Sequence, residues 1–245
     1  MSVLRFIDIP IHLQRNTPRV VATGVEHTGE MLLCKLAHRL GQRDLGDYDL
    51  LDVGCGVRFT QTFINRSLPL RSYTGIEVSL PVVEWLKENV EKHDQRFRFL
   101  YWHVHNAMYN QQAPAMSTYE ALPVPGSYDV IMGFSLFTHL APEDASQMLT
   151  LMRKAVRPGG FLFFSAFCDE SVDRFEDRDR EKPLHHAYYQ TSYLEALVQA
   201  GGWQMVSFEA PAPFIQSSFL CKPTVLPCHD EWNDSAGRST DALPA

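Results

Sequence analysis

The stretch LLDVGCGVRF, residues 50–59, is the feature that most constrains the fold of this chain. An apolar run ends at Asp52 and Val53, and the turn that follows carries Gly54 and Gly56 before a helical pattern begins. Glycines at such places let the backbone turn sharply and approach a ligand closely. In an open α/β sheet, a ligand lies beyond the carboxyl ends of the strands, near the first strand–helix turn. The stretch therefore predicts a ligand-binding α/β fold.

Strands alternate with amphipathic helical patterns along the rest of the chain. Seven strands are predicted, at YDLLDVG, SYTGIEVS, RFRFLYWHVHN, YDVIMGFSLF, RPGGFLFFSAF, WQMVSFEA and SSFLCKP. Helical segments of crossover length connect most of them, whereas the last two strands follow each other with little between them. We therefore predict a doubly wound, mostly parallel seven-stranded sheet with an antiparallel edge strand.

Length and composition fit one domain. The chain has 245 residues, of which 45% are hydrophobic, so we expect a single core over residues 1–223. The composition becomes polar and small after Pro223, which predicts a tail over residues 224–245. The charged run DESVDRFEDRDREK, residues 169–182, is either a solvated loop or a mobile lid. As a lid, it would belong to a substrate cap over about residues 169–192.

Charge and cysteine usage limit the partners and the compartment. The net charge is −7 and no basic stripe is present, which disfavours a nucleic-acid partner. No window approaches the length of apolar sequence that spans a membrane, and the first residues lack the apolar core of a signal peptide. The five cysteines show neither metal-site nor disulfide spacing. A cytoplasmic protein with reduced thiols is expected.

The residues around the glycine turn indicate which ligand binds there. A dinucleotide site would place a third glycine or an alanine where Phe59 stands, and the carboxylate of Asp52 would repel a pyrophosphate. This carboxylate suits a cationic ligand without phosphate, such as S-adenosylmethionine (SAM), which carries an ammonium and a sulfonium. Glu77 ends the second strand 25 residues further on (77 − 52), where an acid accepts hydrogen bonds from ribose hydroxyls.

Four motifs together carry a family resemblance. LLDVGCG, YTGIEVS, YDVIMGFSLFTHL and RPGGFLFF, in this order, resemble the class I SAM-dependent methyltransferases, which have a Rossmann-like fold. The resemblance covers roughly residues 20–222. It departs from the family pattern D-x-G-x-G-x-G at Arg58, which either reaches the cofactor carboxylate or a nearby acid, or faces solvent. The implied cofactor site comprises Asp52, Gly54, Cys55, Gly56, Glu77, Val78, His103, Val104, Phe134 and Ser135.

Further segments resemble bacterial methyltransferases that act on sugars and glycolipids. These segments are VATGVEHTGEMLL, WHVHNAMYN, SLFTHLAPEDASQML and FIQSSFLCKP. In such enzymes an aspartate after the third strand contacts the adenine, and alignment on NAMYN puts His103 at its place. An imidazole can donate to or accept from the adenine edge. Alternatively, His103 and His105 are a pair of hydrogen-bonded histidines at a strand end. The resemblance implies a sugar, glycolipid or glycosylated metabolite as the acceptor.

Histidines and tyrosines near the predicted acceptor side are candidates for the chemistry. His139 follows the fourth strand, where a base that removes a hydroxyl proton is expected, although it could also cap or pack a helix. The segment PLHHAYYQTSYL supplies His185, His186 and Tyr189, which suit a hydroxyl-rich acceptor or, alternatively, belong to an ordinary loop and core. Grouped acids are too few to indicate a metal site, so no metal is expected.

Three other functions stay open at this point. The acceptor could be a small non-sugar metabolite methylated at oxygen, nitrogen or carbon. The chain could bind SAM without catalysis. A nicotinamide oxidoreductase is disfavoured by Phe59 and Asp52. The sequence does not determine the oligomeric state.

Overall fold

The computed structural model describes residues 3–211 and 215–224. The α-helices are α1 Pro18–Thr23, α2 Val25–Arg39, α3 Arg58–Asn65, α4 Leu80–Leu86, α5 Pro142–Ala155 and α6 Thr191–Ala200. The strands are β1 Asp49–Val53, β2 Ser72–Glu77, β3 Phe97–Tyr101, β4 Tyr128–Gly133, β5 Val156–Cys168, β6 Phe175–Asp177, β7 Ala187–Tyr189, β8 Trp203–Glu209 and β9 Ser217–Pro223. The predicted tail beyond Thr224, with Cys228, lies outside the described residues.

The strands form one sheet in the order β3-β2-β1-β4-β5-β7-β6, with β9 antiparallel to β5 and β8 antiparallel to β9. The strands from β3 to β5 pair in parallel. Chain order runs outward from β1 in one direction and from β4 in the other, so the topology reverses between these two strands. This confirms the predicted doubly wound sheet with an antiparallel edge.

Each face of the sheet is covered by its own apolar core because successive strand side chains point to opposite faces. Leu50 and Val130 face a core with helices α2, α3 and α4. Leu51 and Ile131 face a second core with α5 and α6, which contains the fully buried Trp203. Both faces of the central strands are therefore buried, as their near-continuous apolar sequence predicts.

Two short strands add to the seven that were predicted. β6 and β7 pair with each other in antiparallel fashion, and β7 continues the sheet edge beside the end of β5. They lie within the segment predicted as a loop or a lid. Three-residue strands leave too little periodicity to identify from sequence. Residues 175–177 of the charged run are thus part of a ribbon on the sheet edge.

Local signals explain where several helices begin. The Thr17 side chain accepts a hydrogen bond from the Val20 amide, and Pro18 follows it at the first position of α1. Pro81 lies in the first turn of α4, as predicted, where a missing N–H costs little. Within residues 3–211 and 215–224, no helix is both long and apolar enough to cross a membrane.

Candidate functional site

A cavity of about 560 Å³ opens at the carboxyl ends of β1 and β4. This is the point where the strand order reverses, and it is where open α/β sheets bind their ligands. The glycine turn, the N-terminal segment and the loops after β3 and β4 line the cavity together with the turn before β7. Its volume lies within the usual range of small-molecule sites.

The glycine turn has the geometry that its sequence predicts. Gly54 and Gly56 adopt φ values of 74° and 50°, in the left-handed region that side chains with a Cβ rarely occupy. The amides of Gly54 and Cys55 donate to the Ile76 carbonyl at 2.8 and 3.1 Å. A Cβ on Gly56 would have no neighbouring atom within 4 Å, so the backbone here is open to a ligand.

Glu77 links the end of β2 to this turn. Its carboxylate accepts hydrogen bonds from the amides of Gly56 at 3.0 Å and of Val78 and Ser79, each at 2.9 Å. The side chain is only 2% exposed, yet it lines the cavity. Glu77 thus supports the turn and also presents a carboxylate to the cavity. The sequence indicated the second role and not the first.

Asp52 is a second buried carboxylate that lines the cavity. The hydroxyl of Tyr73 donates to Asp52 Oδ2 at 2.5 Å. Burial raises the pKa of Asp52 to about 7, while the Tyr73 hydrogen bond and the positive charge of Arg58 oppose this rise. A buried carboxylate with one hydrogen bond and one cation nearby is well suited to an additional cationic ligand group.

Arg58 is half-buried, and within residues 3–211 and 215–224 its guanidinium pairs directly with no acid. Its guanidinium lies over the rings of Phe134 and Phe59, at 4.9 and 5.3 Å from their centroids. The side chain lines the cavity, and burial lowers its pKa. Arg58 therefore places a positive charge beside Asp52, close to the first of the two alternatives that the sequence left open.

The N-terminal segment forms one wall of the cavity, and sequence reasoning missed it. Arg15 Nη1 lies 3.2 Å from Glu77 Oε1, and its guanidinium stacks 3.7 Å from the centroid of Tyr109. The Thr17–Pro18 cap signal could have indicated a helix there. Nothing in the local sequence pairs Arg15 with Glu77, because the two residues are 62 positions apart.

The structure does not bring His103 to the cavity. His103 is exposed, and its ring nitrogen Nδ1 lies 3.1 Å from the Tyr101 hydroxyl. Val104, His105 and Asn106 line the cavity instead. The alignment on NAMYN therefore identified the correct loop, but the side chain that faces the cavity belongs to the next residue. We correct the assignment of His103 as an adenine contact.

Phe134 and Ser135 line the cavity just past β4, where they were predicted. Ser135 has a φ of 58°, an uncommon conformation for a residue with a side chain. Its amide donates to Ser165 Oγ at 2.9 Å, and Gln216 Nε2 donates to Ser135 Oγ at 2.6 Å. Backbone strain that is held by several hydrogen bonds is typical of functional sites.

His139 ends a short 3₁₀ helix, Phe137–His139, and lines the cavity. Its Nδ1 lies 3.0 Å from the Leu184 carbonyl oxygen. A carbonyl can only accept, so Nδ1 carries the proton and Nε2 keeps its lone pair. Burial lowers the pKa of His139, and the nearby His185 and His186 lower it further. The imidazole is therefore neutral at pH 7 and able to accept a proton.

The predicted acceptor residues divide between the cavity and the core. His185 and His186 line the cavity, and the His185 ring stacks against His139 at a centroid distance of 5.9 Å. Tyr189 is fully buried, and its hydroxyl donates to the Leu140 carbonyl at 2.6 Å. The prediction that Tyr189 contacts the acceptor is therefore wrong. The alternation of side chains along β7 points Tyr189 into the core.

The chemistry of the side chains around the cavity fits SAM. Two buried carboxylates, Asp52 and Glu77, and a turn in which Gly54 and Gly56 lack Cβ atoms suit a ligand with a cationic group. The buried thiol of Cys55 lies beneath the turn, where burial keeps its pKa well above the usual value and the group uncharged. Cys55, Val78 and Val104, which are predicted to contact the cofactor, line the cavity.

Solved structures support the same fold. The glycopeptide N-methyltransferase MtfA aligns with a TM-score of 0.57 at 12% identity, covering 86% of this chain and 100% of that one. Magnesium protoporphyrin IX methyltransferase from Synechocystis, with bound SAM, aligns with a TM-score of 0.54 at 12% identity, covering 88% and 85%. A SAM-dependent methyltransferase of Leishmania major aligns with a TM-score of 0.56 at 18% identity, covering 84% and 77%.

Sequence comparison defines the family. A malonyl-[acyl-carrier protein] O-methyltransferase of Halalkalibacterium halodurans is 25% identical over 162 residues, 63% of this chain. The match spans about half, 53%, of that relative's length. The family model described as "Methyltransferase domain" matches residues 25–208, which include the glycine turn, Glu77 and His139. This chain therefore belongs to the methyltransferase-domain family, whose cofactor is SAM.

Proposed function

We propose that this protein is a SAM-dependent methyltransferase that acts on a hydroxyl of a sugar, glycolipid or glycosylated metabolite, with His139 as the base. The observation that carries the proposal is the hydrogen bond between His139 Nδ1 and the Leu184 carbonyl, which puts the lone pair of the neutral imidazole on Nε2 of a residue that lines the cavity. An alcohol is a weak nucleophile until its proton is removed, and a positioned histidine is the usual base.

The lining residues suit a cofactor at one end of the cavity and an acceptor at the other. Glu77 and Asp52 suit the ribose hydroxyls and the ammonium of SAM, whose sulfonium supplies an activated methyl group. The lone pair of an acceptor oxygen would attack the methyl carbon as the carbon–sulfur bond breaks, and the hydroxyl proton would pass to His139 Nε2. The chain's own contribution is proximity, orientation and the removal of this proton.

The residues at the acceptor end support a polar acceptor. His139, His185 and His186 come together there on the 3₁₀ helix after β4 and on the turn before β7. Phe167, which stacks on Tyr188 at 4.9 Å, lines the same region. Imidazole nitrogens can bind hydroxyl groups, and aromatic faces can pack on sugar rings. The segment of about residues 169–192, which contains the β6–β7 ribbon, would act as the predicted substrate cap, and we retain this role as a proposal.

A second candidate is a small non-sugar metabolite, methylated at oxygen. Apolar side chains such as Met31, Met108 and Ile215 also line the cavity, which suits an acceptor with an apolar body. The curated relative is an O-methyltransferase of an acyl-carrier-protein substrate. This candidate keeps His139 and the cofactor site in the same roles and changes only the acceptor.

A radiolabelled methyl-transfer assay tests the two candidates. The protein is incubated with methyl-labelled SAM and a panel of free sugars, glycosides, hydroxy acids, acyl thioesters and amines. Label in glycosides that is absent with their deoxy analogues supports the proposal. Transfer only to non-sugar hydroxyls or carboxyls supports the second candidate. Saturable SAM binding in calorimetry without transfer to any acceptor would indicate a catalytically silent SAM-binding protein.

A further inference from the structure

We propose that Asp179, His185 and His186 form a divalent-metal site at the acceptor end of the cavity. The three side chains offer one carboxylate oxygen and two imidazole nitrogens, all within 4.8 Å of one another. Asp179 Oδ2 lies 2.9 Å from His185 Nδ1 and 3.7 Å from His186 Nδ1. Ligands bound at about 2.0–2.2 Å in tetrahedral geometry lie about 3.3–3.6 Å apart, so small rotations bring these atoms to the required separations.

Asp179 is held in position by hydrogen bonds on its other oxygen. Oδ1 accepts from the amides of Glu181 at 3.1 Å and of Lys182 at 3.0 Å. Oδ2 is thereby directed toward the two histidines. Hydrogen bonds that orient a ligating carboxylate are a usual feature of metal sites.

The histidines are presented by a turn that also contacts the proposed base. Leu184, directly before them, has a φ of 60°, and its amide donates to Asp177 Oδ2 at 2.7 Å. The Leu184 carbonyl accepts the hydrogen bond of His139. Both His185 and His186 line the cavity. The candidate metal site is therefore connected through one residue to the group that would take the acceptor proton.

The ligand set indicates which ions fit. Two imidazoles and a carboxylate suit Zn²⁺, Mn²⁺, Fe²⁺ or Co²⁺, and they suit Mg²⁺ or Ca²⁺ poorly, since these ions prefer oxygen. Three protein ligands leave at least one coordination position for a further oxygen. This part rests on the proposed function: the open position would take the acceptor hydroxyl, lower its pKa and so ease transfer of its proton to His139 Nε2.

Metal binding is tested without any assay of activity. The untagged full chain is stripped with a chelator and titrated with Co²⁺ and Zn²⁺. We expect one bound ion per chain, visible as Co²⁺ d–d absorption and as heat in calorimetry. The affinity should fall at least about 100-fold in His186→Ala and in Asp179→Asn. His93→Ala, which alters an exposed histidine outside the cavity, is the matched control. Thermal melts of each variant report whether it folds.

Two results would contradict the proposed metal site. One is the absence of a Co²⁺ spectrum in the stripped wild type. The other is equal affinity in folded His186→Ala and in His93→Ala. These readouts are independent of methyl transfer, so a failure of the proposed function leaves them unchanged. Methyl transfer that proceeds at full rate after removal of a bound metal would overturn the role of the ion in acceptor binding, while the spectra would still define the site.

Discussion

Arg15 and Glu77 form an ion pair at the edge of the cofactor cavity, with Nη1 3.2 Å from Oε1. The carboxylate is buried, while the arginine side chain is 30% exposed. The guanidinium also stacks on Tyr109, in the loop after β3. Arg15 therefore connects the N-terminal segment, the end of β2 and the loop after β3, which are three of the walls around the cofactor end of the cavity.

Removal of this link should speed the release of the cofactor. Arg15→Ala loses one partly exposed ion pair and one cation–π contact, together worth about 1 kcal/mol. We expect the dissociation rate of S-adenosylhomocysteine to rise roughly fivefold in stopped-flow experiments. Arg5→Ala, at an exposed position outside the cavity lining, is the control. An unchanged rate in Arg15→Ala would mean that the N-terminal wall does not retain the ligand.

Glu77→Gln should weaken SAM binding by at least about tenfold. A charge-assisted hydrogen bond to a ligand hydroxyl contributes about 1.5–3 kcal/mol, and glutamine keeps the shape but not the charge. Isothermal calorimetry measures the affinity, and chemical denaturation measures the cost in folding. Glu77→Ala would be less informative, because it also removes the acceptor of the Gly56, Val78 and Ser79 amides. Equal affinity of Glu77→Gln and wild type would contradict the ribose assignment.

Asp52 should make the stability of the ligand-free protein depend on pH. Its pKa is about 7 in the folded state, above the usual 3.8, so the folded state binds this proton more tightly than the unfolded state. The resulting stabilisation is fully present below about pH 4 and is lost as pH rises through about 7. Urea unfolding from pH 5 to 8 should show this loss, on the order of a few kcal/mol.

Asp52→Asn is the matched variant for this measurement, since its side chain does not titrate. Its unfolding free energy should change less with pH than that of the wild type over the same interval. Parallel curves for the two proteins would show that Asp52 is already ionised when folded. SAM affinity should rise with pH over this range in the wild type, because the ammonium of the ligand favours the carboxylate form.

His139→Ala should lower kcat by about 10²–10⁴-fold with SAM affinity nearly unchanged, because general-base catalysis has this range. The wild-type rate should fall as pH drops below 6.5, since burial lowers the pKa of His139 and only the neutral imidazole accepts a proton. His105→Ala, which alters another histidine in the cavity lining, is the control. A rate within a few-fold of wild type in His139→Ala would indicate another base or an acceptor that needs none.

Residues 169–182 should exchange amide hydrogens more slowly once cofactor and acceptor are bound. Arg178 forms ion pairs with Asp169 at 2.8 Å and with Glu176 at 2.7 Å, which hold the segment together. Closure of the segment over bound ligands would protect its amides further. Hydrogen-exchange mass spectrometry measures the change. Arg178→Ala should raise exchange across the segment, whereas Arg180→Ala, at an exposed position nearby, should not. If the exchange rates of residues 169–182 are the same with and without both ligands, the segment is a solvated loop and not a lid.

The fold and the geometry of the first strand–helix turn were predictable from the sequence. The alternation of strands and helices determines a doubly wound sheet, and such a sheet places its first strand–helix turn at the ligand. Gly54, Gly56 and Glu77 could be identified because their roles depend on chain order and on backbone conformation at a known position. Local pattern was sufficient wherever the relevant contact lies within one strand–turn–helix unit.

Only the tertiary structure decided which side chains face the cavity. Val104 faces it and His103 does not, while Tyr189 turns into the core, because a shift of one residue along an extended chain reverses the direction of a side chain. Only the structure, likewise, paired Arg15 with Glu77 and His139 with Leu184, across 62 and 45 positions. Such contacts depend on how separate elements pack together, and that packing leaves no periodic trace in the sequence around either residue.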